Sequence, residues 1–202
     1  MSFFLFQASF LVYVLSAAAY LVYFLSKRTG TRRIGYALFL AAAALHTITL
    51  ISRYFEAGHT PITSHHETVS FFAWSLGSCY LSFRWRYTVK NLGVFVSILV
   101  VTLMLVATFS SREMQPLPPA LQSWWLPVHA SIALVADGFL ALACIGGIMY
   151  LLQEREIKQK RFGLFYSRLP SLEALDKLNH HCLSVGFPLL TLGLITGSLW
   201  AK

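Results

Sequence analysis

Charge is scarce in this chain of 202 residues: only 12% are charged, where a soluble globular domain carries about 25%. Acidic residues are the scarcer sign, eight against sixteen basic. That shortage excludes an acidic solvating tail, and no basic domain stands apart in the way nucleic-acid binding would need. Cysteine is limited to Cys79, Cys144 and Cys182, all within apolar runs and none in a CxxC pair. They form neither a disulfide framework nor a zinc site, and read as small buried packing residues. Hydrolase elbow, phosphate-binding glycine loop and HExxH are all missing, which removes the common hydrolase, nucleotide and zinc-protease readings. Alternation with period two is absent, so a β-barrel is not expected. The N-terminus lacks a basic segment and its apolar run is too long for a cleaved secretory signal.

Long apolar runs fill the space that charge leaves. Hydrophobic residues make up 56% of the chain, and the mean hydropathy is +0.62. Six runs stand out: Phe3 to Leu25, Ile34 to Ser52, Thr68 to Phe83, Leu92 to Phe109, Val128 to Leu152 and Cys182 to Trp200. Each approaches the ~20 residues that cross a ~30 Å hydrocarbon core as helix. The fold class is therefore all-α, a polytopic transmembrane bundle of about six spans forming one domain over 1–202. The net charge of +8 is written in the loops. Lys27, Arg28, Arg32 and Arg33 follow the first run, and Arg84, Arg86 and Lys90 follow the third. Arg155, Lys158, Lys160, Arg161, Arg168 and Lys177 follow the fifth. The remaining loops carry only Arg53 and Arg112, with Lys202 at the end. The positive-inside bias makes the first set cytoplasmic. Both termini, the loop Arg53–Glu67 and the loop 110–127 then face outside. Within the long cytoplasmic loop, Ser171 followed by Leu172, Leu175 and Leu178 reads as a capped amphipathic turn on the membrane surface. The outer stretch 115–119 is proline-rich and should be extended.

Histidine is plentiful for so uncharged a chain: seven residues. His129 opens the fifth run at its outer end, just after Trp124, Trp125 and Pro127. An imidazole fixed at a helix end beside indole rings suits an axial haem ligand; the same residues also suit an interfacial aromatic belt. His46 lies within the second run. An ionisable residue at that depth marks either a functional site or an interhelical hydrogen bond to Ser or Thr. Asp137 sits eight residues, or ~12 Å of helix, beyond His129; it is open to pairing with His46, to supporting an iron ligand, or to a structural role. His59, His65 and His66 occupy the first outer loop, and His65-His66-Glu67 matches no closed zinc pattern. His180-His181, after Asn179, reads as a polar helix start. Gly193 and Gly197 form a GxxxG pair that favours close helix packing.

Three segments carry a more specific signal. The first is Gly58-His59-Thr60-Pro61 continuing through Glu67-Thr68-Val69-Ser70-Phe71-Phe72-Ala73-Trp74. The second is Leu126-Pro127-Val128-His129 and, at its far end, Gly147-Ile148-Met149-Tyr150-Leu151-Leu152-Gln153. The third is Leu175-Asp176-Lys177-Leu178-Asn179, then Gly186-Phe187-Pro188-Leu189-Leu190-Thr191-Leu192-Gly193, ending at Gly197-Ser198-Leu199-Trp200-Ala201-Lys202. In this order and spacing they resemble the cytochrome c assembly family of membrane haem-handling proteins. The type is similar to the system II CcsA/ResC membrane subunits, with HemX-type proteins as relatives.

The resemblance implies that haem b is held at the outer face for attachment to the CxxCH cysteines of apocytochrome c. It places the chain in a bacterial inner membrane, as part of a cytochrome c synthase (haem lyase) system. In the family a tryptophan-rich WWD motif lies between two outer histidines, and His129 matches the first. Trp124-Trp125 precede His129 and do not replace that motif, which would begin where the chain stops at Lys202. The expectation is a domain incomplete at its C-terminus, not competent alone, and completed by partner subunits supplying further spans. Candidate haem contacts are His129, Trp124, Trp125, His46 and His59. Two rival readings stand beside this one: a non-enzymatic HemX-like regulator or scaffold of haem synthesis, and a b-type electron-transfer cytochrome with paired histidines.

Overall fold

A backbone in hydrocarbon has no water to bond, so each span must satisfy its own N–H and C=O groups as helix. The computed structural model describes residues 1–26, 29–87, 89, 91–110, 123, 125–160 and 163–200. Among them it contains helix and no strand. The helices are α1 (Ser2–Ser26), α2 (Thr29–Ala57), α3 (His65–Arg86), α4 (Leu92–Phe109), α5 (Trp125–Lys158), the short α6 (Leu164–Arg168) and α7 (Leu172–Trp200). Five of them, α1, α2, α4, α5 and α7, are long and apolar enough to cross a membrane. The sixth long helix, α3, is less apolar and carries Glu67 at one end and Arg84 and Arg86 at the other. Lys27, Arg28, Lys90, Arg112, Trp124, Arg161, Lys202 and the stretch 115–119 lie outside the described residues.

Successive long helices run antiparallel. Contacts at one end join Ser2 to Glu56 and His66 to Ala107. At the other end, Arg168 donates from Nη2 to the Leu25 carbonyl at 2.7 Å. The loop charges make the first of these the outer end. The surface around the bundle is apolar: Leu11, Ile51, Leu151 and Leu194 are each more than half exposed, which suits hydrocarbon as the surrounding solvent. Trp85, 92% exposed between two arginines, stands at the inner interface as an anchor.

Packing divides the bundle in two. Helices α1 to α4 enclose most of the buried core, with Tyr13, Phe39, Leu76, Tyr80 and Met104 all but fully covered. Helix α5 joins this group through α3, and α7 packs chiefly on α5. Glycines set the closest approaches. A Cβ on Gly138 of α5 would lie 3.0 Å from the Ser75 carbonyl carbon and 3.1 Å from the Leu76 nitrogen. Those are backbone atoms of α3, and they cannot step aside as a side chain can. On α4, a Cβ at Gly93 would lie 2.6 Å from the Tyr80 hydroxyl and 2.7 Å from the Tyr20 ring.

Three sequence expectations shift. Arg53 and Glu67 belong to α2 and α3, so the first outer loop is shorter than expected. Ser64 caps α3, accepting from the Glu67 N–H at 3.2 Å while the Glu67 carboxylate accepts from the Ser64 N–H at 3.3 Å. The Ser-x-x-Glu spacing signals this reciprocal cap. Ser171 does cap α7, accepting from Ala174 N–H at 3.3 Å. Leu175 and Leu178 then face the core, fully buried, instead of lying on the membrane surface. The turn and the sixth run are one helix, because Gly146 of α5 leaves room for Leu178 and Asn179. His181 therefore sits inside α7, its ring 5.6 Å from that of Phe83, and not at a helix start.

Gly138→Val should force α3 and α5 apart and cost about 1–3 kcal/mol, read as a lowered thermal midpoint of the protein in detergent. Gly147→Val, where nothing lies within 4 Å, should leave the midpoint in place.

Candidate functional site

His129 stands in the first turns of α5, facing the outer end of α7. Its Nδ1–H donates to the Gly193 carbonyl at 2.7 Å. A carbonyl only accepts, so in the neutral ring this bond assigns the proton to Nδ1 and leaves a lone pair on Nε2. The Thr196 hydroxyl lies 3.5 Å from Nδ1 and itself donates to the Gly193 carbonyl at 2.9 Å. The imidazole occupies the place where a side chain at position 197 would stand: a Cβ there would lie 2.6 Å from Cε1 and 3.2 Å from Nε2. One turn away, Gly193 packs on Ala133 at 3.4 Å. The two glycines of the GxxxG pair thus serve one seam, the first for the helix backbone and the second for the histidine ring.

Metal-ligating histidines commonly bond one ring nitrogen to a backbone carbonyl, which fixes tautomer and orientation and frees the other nitrogen. His129 has that arrangement, half-buried at a helix end. Trp125, also half-buried, is four residues earlier on the same helix face; Trp124 lies outside the described residues. This donor set fits one axial position of a haem. Among the described residues no group of three or more His, Cys, Asp or Glu side chains could hold a metal ion alone.

The other candidate residues lie elsewhere. His46 is wholly buried among α1, α2 and α3, its Nε2 2.9 Å from the Ser70 hydroxyl. That is the interhelical serine bond left open by the sequence. Its Nδ1 has no hydrogen-bond partner, and its ring meets Tyr13 edge-on at 5.9 Å. His59, half-buried in the outer loop, places Nδ1 3.1 Å from the Thr60 carbonyl. Neither shares a hydrogen bond or ring contact with His129 among the described residues. Asp137 makes no bond to His46.

A second outer feature escaped the sequence reading. A cavity of about 340 Å³ opens among α1, α2 and α3, lined by Phe6, Leu50, Arg53, Glu56, His66 and Ser70, with Glu67 beside them. Arg53 Nε donates to the Glu67 carboxylate at 2.8 Å, and both side chains are largely buried. Thr63 adds its N–H at 3.2 Å and its hydroxyl at 3.0 Å. Burial pushes the Glu67 carboxyl up, but the Arg53 guanidinium and the loop donors outweigh it and hold it below the ordinary value. At the facing helix ends Glu56 accepts from the Ser2 N–H at 2.9 Å, from the Ser2 hydroxyl, and from the Met1 ammonium at 2.9 Å.

Comparison with known proteins settles the family. The model of the cytochrome C assembly protein family matches residues 62–202, well over half the chain. The chain belongs to the cytochrome c assembly protein family. Among its relatives is the cytochrome c biogenesis protein CcsA of Guillardia theta, 29% identical over 84% of this chain and 62% of that protein. The CcsA protein of Chlamydomonas reinhardtii is 31% identical over 78% of this chain and 46% of that protein. Protein HemX of Brevibacillus brevis is 25% identical over 98% of this chain and 73% of that protein. This family member thus spans about half to two thirds of the length of those CcsA relatives, and aligns with HemX almost throughout. It is a multi-pass membrane protein of this family, and the family match covers α3 to α7, the His129 seam included.

Glu67→Gln tests the outer ion pair. A carboxyl held below its ordinary value of 4.5 contributes stability that is complete above that pH and is lost as pH falls through the lower folded value. The variant should lose ~3 kcal/mol at neutral pH, as a broken buried pair does. Its thermal midpoint should also respond less to acidification than that of the unmodified protein.

Proposed function

We propose that this chain holds haem b at the outer face of a bacterial inner membrane, for attachment to apocytochrome c, with His129 Nε2 as an axial ligand. The observation that supports the reading is the bond from His129 Nδ1 to the Gly193 carbonyl, which leaves Nε2 as the nitrogen free of that bond. The haem supplies the iron and the vinyl groups to which the cysteine thiols of a CxxCH segment are joined. The chain's own part is positional. His129 supplies one nitrogen donor, Gly197 leaves space for its ring, and Thr196 and Gly193 fix its tautomer. Trp125 offers an apolar ring on the same helix face, and Trp124 belongs to the same aromatic group by sequence. His46 and His59 sit apart from this seam, so a contact from either would be made to a different part of the cofactor or to a second haem.

On this reading the chain is part of a cytochrome c synthase system. It works with other membrane subunits that supply further spans, in keeping with the 62% and 46% of the CcsA relatives that it covers. A HemX-like regulator or scaffold of haem synthesis is the second reading, favoured by the alignment over 98% of this chain. The two differ on whether the purified chain carries haem.

Protein purified in detergent from haem-replete cells should show a Soret band, and His129→Ala should lose or shift it. Gly197→Val, which crowds the ring while leaving the imidazole in place, should weaken haem retention about tenfold without removing the ligand. Absence of haem from the unmodified protein would overturn the haem reading and leave the regulator.

A further inference from the structure

Asp137 is the one acid deep within the apolar part of α5, and it has no hydrogen bond or ion pair among the described residues. It faces neither of the helices that α5 packs on. The α3 side of α5 is marked by Gly138, and by Val135, whose carbonyl lies 3.8 Å from Cys79 Sγ. The α7 side is marked by His129, Ala133 and Ala136. Asp137 begins a third stripe, continued at helical spacing by Cys144, Ile148 and Leu151. Cys144 is exposed, and Ile148 and Leu151 are 52% and 64% exposed. Beside this stripe Gly147 has nothing within 4 Å of where its Cβ would be. The face thus combines small residues, which let helix backbones approach closely, with an apolar run and a partly exposed carboxyl in hydrocarbon.

A carboxyl at that depth is costly to leave unpaired. Charge complementarity selects what covers it. From these observations we infer that the Asp137–Cys144–Ile148–Leu151 face of α5 is the docking site for a membrane-spanning helix outside these 202 residues, one carrying a lysine or arginine at the depth of Asp137. A second copy of this chain fits less well, since its long helices hold no lysine or arginine near mid-membrane to meet the acid, and His46 is wholly buried within the bundle. The inference rests on the proposal that further spans join this chain, and is independent of haem ligation by His129.

The test uses the full chain in lipid nanodiscs with a fluorescent acceptor. The probe is a synthetic leucine–alanine transmembrane helix bearing a donor dye and a single central lysine. Energy transfer should report association about tenfold tighter than for the same helix with leucine at its centre. Asp137→Asn, nearly the same shape, should abolish that difference. Gly147→Leu, which leaves the charge intact, should weaken binding by obstructing close approach. Equal binding of the two helices, or undiminished preference for the lysine helix in Asp137→Asn, would overturn the inference. So would self-association of the chain that Asp137→Asn abolishes, since the occupant would then be a second copy. No haem enters the measurement, so its failure and a missing Soret band are separate results.

Discussion

The hydrogen bond from His129 to the Gly193 carbonyl exists because no side chain stands between α5 and α7 at that level. In hydrocarbon, association of helices relies on close packing and on polar groups finding each other, since lipid tails are as apolar as leucine. Gly193 and Gly197 provide the closeness. The imidazole then fills the volume that a side chain at position 197 would take. A histidine held in this way has a defined tautomer and a defined direction, which an imidazole facing lipid headgroups lacks. The proposed haem role depends on that definition more than on the mere presence of histidine near the outer face.

The two halves of the bundle use polarity differently. In α1 to α4 the buried polar side chains chiefly meet one another or the backbone: Tyr20 with Tyr80 at 3.0 Å, Ser16 with the Gly35 carbonyl at 2.8 Å, His46 with Ser70. Such bonds fix the relative register of the helices. The Arg53–Glu67 pair closes the outer end of α2 and α3 across a short loop, and Arg168 with Asn91 ties the inner end, where Asn91 Nδ2 donates to the Arg168 carbonyl. Asn91 takes a left-handed conformation there (φ 60°), which asparagine accepts more readily than most residues. The α5–α7 pair is smaller, hangs on α3, and keeps an open side. Within this family member, the interhelical polar bonds lie mainly among the first four helices, while His129 and Asp137 belong to α5.

Much of this was legible in the sequence. Apolar runs with basic loops between them define the spans, because length and charge bias act locally along the chain. Ser64 with Glu67 and Ser171 before α7 are local signals of the same kind. The pairings were not legible. His129 meets Gly193 64 positions away, and Arg53 meets Glu67 across a turn whose geometry no local pattern specifies. The GxxxG pattern announced close packing without naming its partner. His46 allowed both a functional role and a serine bond, and only the relative rotation of α2 and α3 supplies Ser70. The amphipathic leucines before the sixth run suited a surface helix equally well until Gly146 gave them a groove.

Nitrogen-15 magnetic resonance of histidine-labelled protein in lipid bilayers, with His129→Ala to assign the signals, tests the central claim most directly. The account predicts a protonated, pyrrole-type Nδ1 and an unprotonated, pyridine-type Nε2 for His129, with the Nε2 signal alone displaced when haem is added. A proton on Nε2, or a haem-induced change confined to other histidines, would contradict it.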